Sequence, residues 1–198
     1  MLHKLLQPYQ QYGYLHYGEG VTELAHALQA AHLAQEAGEN ESMIAAALLH
    51  DYGHLIHGLG ENVAEWGVNA NHETVGANAL EKWFPTCVTE PIRWHVEAKR
   101  YLCSTEMGYF DNLSPASVLS LQLQGGAMNP EELEEFSTLP FTKEAIRLRR
   151  YPNAFNTIFD SSPIINKRSP TDIFNSVCIF FLISSEKNFD IPPSNPES

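Results

Sequence analysis

The 198-residue sequence predicts an all-α bundle. Apolar residues recur at three- and four-residue spacing in segment after segment, which is the period of a half-buried helix. Ser, Asn and Pro stand where such segments start, and Gly or Pro where they stop. Before position 152 no stretch shows two-residue alternation bounded by hairpin turns, so strands are not expected. With 43% hydrophobic and 18% charged residues the chain has enough apolar material for one core, and its length fits one average domain with a tail.

The N-terminal stretch MLHKLLQPYQQYGYLHYG is broken by Pro8 and lacks the long apolar run and small-residue cleavage site of a secretory signal. In VTELAHALQAAHLAQEAG, Leu24, Leu28, Ala31 and Ala34 form one stripe and Gly38 supplies the stop. Ser42 is placed to cap a second helix, MIAAALLHDYGHLIH, which passes from an Ala-rich apolar half to a polar half ending near Gly58. HETVGANALEKWF reads as a third helix ended by Pro85, and TEPIRWHVEAKRYL as a fourth beginning near Pro91. SPASVLSLQLQ opens with Ser-Pro and stops at Gly125-Gly126; NPEELEEFS opens in the same way at Asn129 and Pro130; TKEAIRLRR is a last amphipathic helix. Trp66, Trp83 and Trp94 fit core or pocket-wall packing. From Pro152 the helical pattern gives way to Asn, Ser and Pro. The expected organisation is therefore a helical body over 1–151 and an irregular, partly disordered tail over 152–198.

Twelve Lys+Arg against 24 Asp+Glu leave a net charge of −12, a surface that repels phosphate backbones and anionic headgroups. Neither nucleic acid nor a membrane is an expected partner. Lys143, Arg147, Arg149 and Arg150 nevertheless concentrate positive charge on one segment, where a small anion could bind. Cys87, Cys103 and Cys178 form no CxxC pair, which argues against a disulfide framework or thiolate zinc site and fits a reducing, cytoplasmic setting. The most apolar run, Val177 to Ile183, is far shorter than the ~20 residues that span a bilayer.

The chemistry centres on His50-Asp51. On one helix these side chains point about 100° apart, yet both reach one pocket, the imidazole to one metal and the carboxylate bridging to a second. His54 follows one turn later. His26 lies on the first periodic helix, His72 opens the third, and His95 sits in WHVEAK. Each histidine singly is more often a satisfied core or surface residue than a ligand. Together, four helical segments bring an imidazole or carboxylate toward one centre.

The order H…HD…H…H resembles the HD-domain superfamily. Within it the chain is similar to the oxygenase branch that cleaves organophosphonates, typified by 2-amino-1-hydroxyethylphosphonate dioxygenase and related to myo-inositol oxygenase. YGEGVTELAHALQAA, AALLHDYGH, HETVGA, HVEAKRYL, NLSPAS and LQGGAMNPEE carry the likeness, over roughly residues 14–150. The resemblance implies an HD-domain helical bundle with two iron ions, Fe(II)/Fe(III), and O2 as co-substrate. It makes His26, His50, Asp51, His72 and His95 the ligands, with Asp51 bridging. It implies a sixth ligand, an aspartate, where this chain has Pro152; Asp160 is the nearest downstream replacement. It also implies that His54, Lys99, Ser117 and Arg149 bind the phosphonate, whose dianion needs charge-assisted donors. Lys143 and Arg147 are left as solvated surface. A catalytic Tyr and Glu precede the first ligand in this branch: Glu19 holds the Glu spacing, His16 stands in the Tyr position and Tyr17 follows.

The expected activity is cleavage of the C–P bond of a small 1-hydroxy organophosphonate, releasing phosphate. Two alternatives stay open from the residues: a metal-dependent phosphohydrolase, in which a metal-bound water attacks a phosphate ester, and a catalytically impaired binding module lacking the ligand at Pro152.

Overall fold

In the computed structural model, residues 2–16 and 20–153 are described. They form ten α-helices and one 3-10 turn, with no strand among them. The helices are α1 (Leu2–Tyr12), α2 (Glu23–Glu36), α3 (Glu41–Leu49), α4 (Tyr52–Ile56), α5 (His72–Leu80), α6 (Thr86–Arg93), α7 (His95–Thr105), α8 (Pro115–Leu123), α9 (Pro130–Thr138) and α10 (Thr142–Asn153). The expected body is thus helical, and α10 continues through position 152 to Asn153. The rest of the expected tail, with Asp160, Cys178 and the Val177–Ile183 run, lies outside the described residues, as do Tyr17 and Glu19.

The centre of the bundle is α3. Met43, Ala45, Ala46, Ala47, Leu48 and Leu49 are all buried, so this helix is apolar all round and packs against α2, α6 and α10. Its alanines let those neighbours approach closely. Asn40, rather than Ser42, caps it: the Asn40 side chain accepts from the Met43 N–H at 2.9 Å. A second apolar group, Ala98, Met128, Phe136 and Ala145, joins α7, α9 and α10, and Leu102, Tyr109, Leu113 and Leu121 join α7 to α8.

Three expectations at the level of elements are corrected. The predicted helix over 43–57 is two helices, broken at His50-Asp51, where Asp51 leaves helical geometry (φ −100°, ψ 14°). The predicted helix starting near Pro91 begins earlier at Thr86, runs over Pro91, and breaks at Trp94 (φ −98°, ψ 3°) before α7 begins on His95. Pro8 does not break the N-terminus, since α1 runs across it. A helix-interior proline costs about 3 kcal/mol; here Leu5, Leu6 and Tyr9 are buried, and the Tyr9 hydroxyl donates to the Leu48 carbonyl at 2.8 Å.

Both unpredicted breaks sit beside site histidines. The first turns α4 so that Gly53 meets the start of α5: a Cβ on Gly53 would collide with the His72 carbonyl, and one on Gly76 would lie 2.9 Å from the Gly53 nitrogen. Asn71, in the left-handed region at φ 47°, turns the chain into His72; asparagine tolerates that conformation better than most residues. The segment between α4 and α5 is a loop with positive φ at Gly58, Gly60 and Gly67. Trp66 lies on it and is 67% exposed, which corrects its expected place in a core or wall.

Candidate metal centre

α3 ends as a buried apolar rod, so the residue after its last leucine is carried into the interior: His50 is 2% exposed. Its Nδ1 lies 2.9 Å from the Ala47 carbonyl. His95 repeats the arrangement at the start of α7, with Nδ1 2.7 Å from the Ile92 carbonyl. A carbonyl only accepts, so both Nδ1 atoms carry the proton and both Nε2 atoms present a bare lone pair. Backbone anchoring of this kind sets ring orientation in metal-binding histidines.

Asp51 stands between two pairs of imidazoles. Its Oδ2 lies 3.3 Å from His26 Nε2 and 2.9 Å from His50 Nε2, which are 3.2 Å apart. Its Oδ1 lies 3.3 Å from His72 Nε2 and 3.5 Å from His95 Nε2, which are 3.1 Å apart. Donors about 2.1 Å from a shared metal are separated by about 3.0 Å along an octahedral edge and about 3.4 Å along a tetrahedral one. Both trios have these spacings, so each has the dimensions of a coordination polyhedron. Lone pairs facing lone pairs at this distance repel unless a cation lies among them, and the donor set therefore fits two metal ions sharing one carboxylate.

The protonation states agree. Burial pushes the Asp51 carboxyl up, but the surrounding imidazoles, His50 foremost, outweigh it and hold it well below the usual carboxylate range, so it stands as a carboxylate. Burial pushes His95 down to about 3 against the opposing pull of Asp51, and this burial keeps the imidazole neutral. The His54 ring stacks on His72 with centroids 4.0 Å apart and planes at 16°. Burial, reinforced by the neighbouring charge of His72, holds His54 well below its usual value. Glu73 Oε2 lies 3.5 Å from His72 Nδ1, behind the metal-facing nitrogen.

A cavity of about 290 Å³ opens on the cluster and is lined by His26, Asp51, His54, His72 and His95 together with Lys99, Ser117, Ser120 and Arg149. Lys99 is 4% exposed and donates to Ser120 Oγ at 2.8 Å; Arg149 is 6% exposed and donates to Ser117 Oγ at 3.4 Å. Burial, and then the nearby guanidinium of Arg149, push the Lys99 ammonium down to about 7. Neither cation forms an ion pair among the described residues, and Arg149 Nε is buried without a hydrogen-bond partner. Two buried, unpaired cations side by side are costly unless an anion joins them.

The structure thus brings eight of the sequence-singled residues to one cavity, with His50 against Asp51 just outside its lining. It does not bring His16 there: that residue is exposed, and its backbone N–H donates to Glu61 Oε2 at 3.2 Å. Sequence reasoning missed Ser120, although its place one turn after Ser117 on α8 could have suggested it. It also missed the cavity-lining Glu23, Glu61 and Glu65, for which no pattern exists. Arg147, expected as solvated surface, is half-exposed and paired with Glu39.

Comparison with known proteins finds the HD domain over residues 24–135. The chain is 47% identical over 155 residues to a hydroxymethylphosphonate dioxygenase of Gimesia maris, covering 74% of each protein. It is 46% identical over 132 residues to a [1-hydroxy-2-(trimethylamino)ethyl]phosphonate dioxygenase (glycine-betaine-forming) of Leisingera caerulea, covering 67% of each. An uncharacterized protein of Acanthamoeba polyphaga mimivirus is 36% identical over 188 residues, 93% of this chain and 83% of that protein.

Proposed function

The chain belongs to the HD-domain family and to its phosphonate-cleaving oxygenase branch, and from that premise we propose that it uses two iron ions and dioxygen to cleave a small 1-hydroxy organophosphonate, releasing phosphate. The observation that carries this reading is one cavity that joins two His-His-carboxylate trios to a pair of buried, uncompensated cations. Two histidines and one carboxylate with remaining positions open is the donor set of non-haem iron oxygenases. Iron bound there supplies Lewis acidity toward substrate oxygens and the one-electron chemistry that dioxygen requires.

The chain's own residues do the rest. His26, His50 and Asp51 hold one ion, and Asp51, His72 and His95 the other. With Pro152 where the resemblance implies an aspartate, the two ions receive matching three-donor sets from the described residues. Lys99 and Arg149 bind the phosphonate oxygens, and the incoming anion supplies the countercharge that these two buried cations lack. Ser117 donates to the same group, Ser120 orients the Lys99 ammonium, and His54, kept neutral by burial, donates as an imidazole rather than as a cation. Holding the phosphonate in this way keeps the adjacent carbon and its hydroxyl beside the metal-facing donors. Tyr17 and Glu19 lie outside the described residues, and the catalytic roles that the resemblance implies for them rest on the resemblance alone.

The dioxygenase names of two relatives favour this reading over the phosphohydrolase. The test is aerobic turnover by iron-loaded protein with hydroxymethylphosphonate and with 1-hydroxy-2-aminoethylphosphonate. Oxygen consumption matched to phosphate release, and lost in His50→Ala, is expected. Phosphate released without oxygen consumption would assign a hydrolase instead, and no turnover by the loaded protein would leave a binding module.

A further inference from the structure

Arg149 is buried in the cavity wall, yet its own side chain is weakly held: the single Nη2 bond to Ser117 Oγ is 3.4 Å long and Nε has no partner. Its reach toward the metal pair therefore depends on where α10 places its backbone. Two residues on the same helix, Arg147 and Tyr151, are one turn apart and share the face turned away from Arg149. Both grip a single carboxylate oxygen: Arg147 Nε lies 3.2 Å from Glu39 Oε1, and the Tyr151 hydroxyl donates to the same atom at 2.7 Å.

Glu39 is itself fixed by backbone geometry. It follows Gly38, which ends α2 in the left-handed region at φ 73°. The Gly38 N–H donates to the Gln35 carbonyl and the Glu39 N–H to the Ala34 carbonyl, the paired bonds of a Schellman motif. Asn40 then caps α3 immediately. Glu39 is thus the rigid link of the α2–α3 hairpin, which carries His26 on one arm and delivers His50 at the end of the other. Its side chain is 14% exposed, so its bonds to α10 are poorly screened. Elsewhere on α10, Arg150 pairs with Glu106 at 2.6 Å, but both side chains are close to half-exposed, and exposed pairs contribute little.

We infer that Glu39 is a positioning residue for anion binding: by clamping Arg147 and Tyr151 it fixes the separation between Arg149 and the metal-bearing α2–α3 hairpin. This rests on the proposed phosphonate role of Arg149.

The experiment measures methylphosphonate affinity by calorimetry in the metal-loaded full chain, with metal content read in parallel. Glu39→Gln, which takes the charge from both bonds, and Tyr151→Phe, which removes one of them, are each expected to weaken affinity about 3- to 10-fold at unchanged metal content. Glu106→Gln, which breaks the exposed pair on the same helix, is expected to leave affinity unchanged. In an Arg149→Ala background Glu39→Gln is expected to have no further effect, because its action passes through Arg149. Unchanged affinity in both Glu39→Gln and Tyr151→Phe, or an undiminished Glu39→Gln effect in the Arg149→Ala background, would overturn the inference. If Arg149→Ala itself left affinity unchanged, the assignment of Arg149 to the phosphonate would fail instead.

Discussion

Asp51 has one oxygen for each pair of histidines, and that division sorts five side chains into two trios with metal-binding spacing. Beside it, Lys99 is buried next to Arg149, which brings its titration close to neutral pH. Burial and Arg149 lower it to about 7, while Asp51, Cys103 and Glu73 pull the other way. Between about 7 and its ordinary value the unfolded chain binds a proton that the native chain does not, so the stability penalty of burying Lys99 is full below 7 and fades as pH rises. Anion binding runs in the opposite sense, since it needs the ammonium. Methylphosphonate affinity is predicted to fall as pH rises through 7, and Lys99→Met should bind about tenfold or more weakly at pH 6 while losing this dependence. Calorimetry from pH 6 to 9 on both proteins checks it; the ligand's own ionisation is common to the two, so parallel profiles would remove Lys99 from the phosphonate site. The metal-facing histidines were readable from the sequence because each ligand is one residue in a recognisable order. The burial of Lys99 and Arg149 was not, because a charged residue on a helix reads as solvated until its neighbours are known.

At the scale of elements, the site depends on two helix breaks and one close contact. Periodicity runs unbroken through His50-Asp51 and through Trp94, so local pattern predicts one helix where there are two. What ends the first helix is tertiary: the Asp51 carboxylate turns between imidazoles from three other elements, and α4 swings until Gly53 meets α5. The helix starts that were foreseen at Ser114 and Asn129 are, by contrast, local hydrogen-bonding decisions. Asn129 forms a capping box with Glu132, and Ser114 accepts from the Ser117 N–H, at the positions the sequence suggests. The Gly53 contact makes a prediction. Gly53→Ala forces a methyl group into the His72 carbonyl and is expected to cost about 1–3 kcal/mol of stability. It should also reduce metal retention, because His72 is displaced with the backbone that carries it. Thermal unfolding and metal content measured together check this; a variant of unchanged stability and full metal content would show that the α4–α5 contact does not hold the site.

For the whole molecule, charge and function pull apart. A net charge of −12 repels anions at long range, while the proposed substrate anion would meet two buried cations in the cavity wall. The acidic composition argued against nucleic acid as an expected partner, but it gave no hint that Lys99 and Arg149 meet in one cavity wall, because they lie far apart in sequence and only the fold joins them. No helix among the described residues is long and apolar enough to cross a membrane. The all-α architecture followed from helical periodicity, whereas the convergence of α2, α3, α5 and α7 on one point could be anticipated only from the order of their histidines. Iron content per chain tests that convergence, by elemental analysis of protein expressed with iron and purified without chelator. The account predicts about two irons per chain, falling together toward none in Asp51→Ala because both sites share that carboxylate. One iron or none in the unaltered protein, or two retained without Asp51, would contradict it.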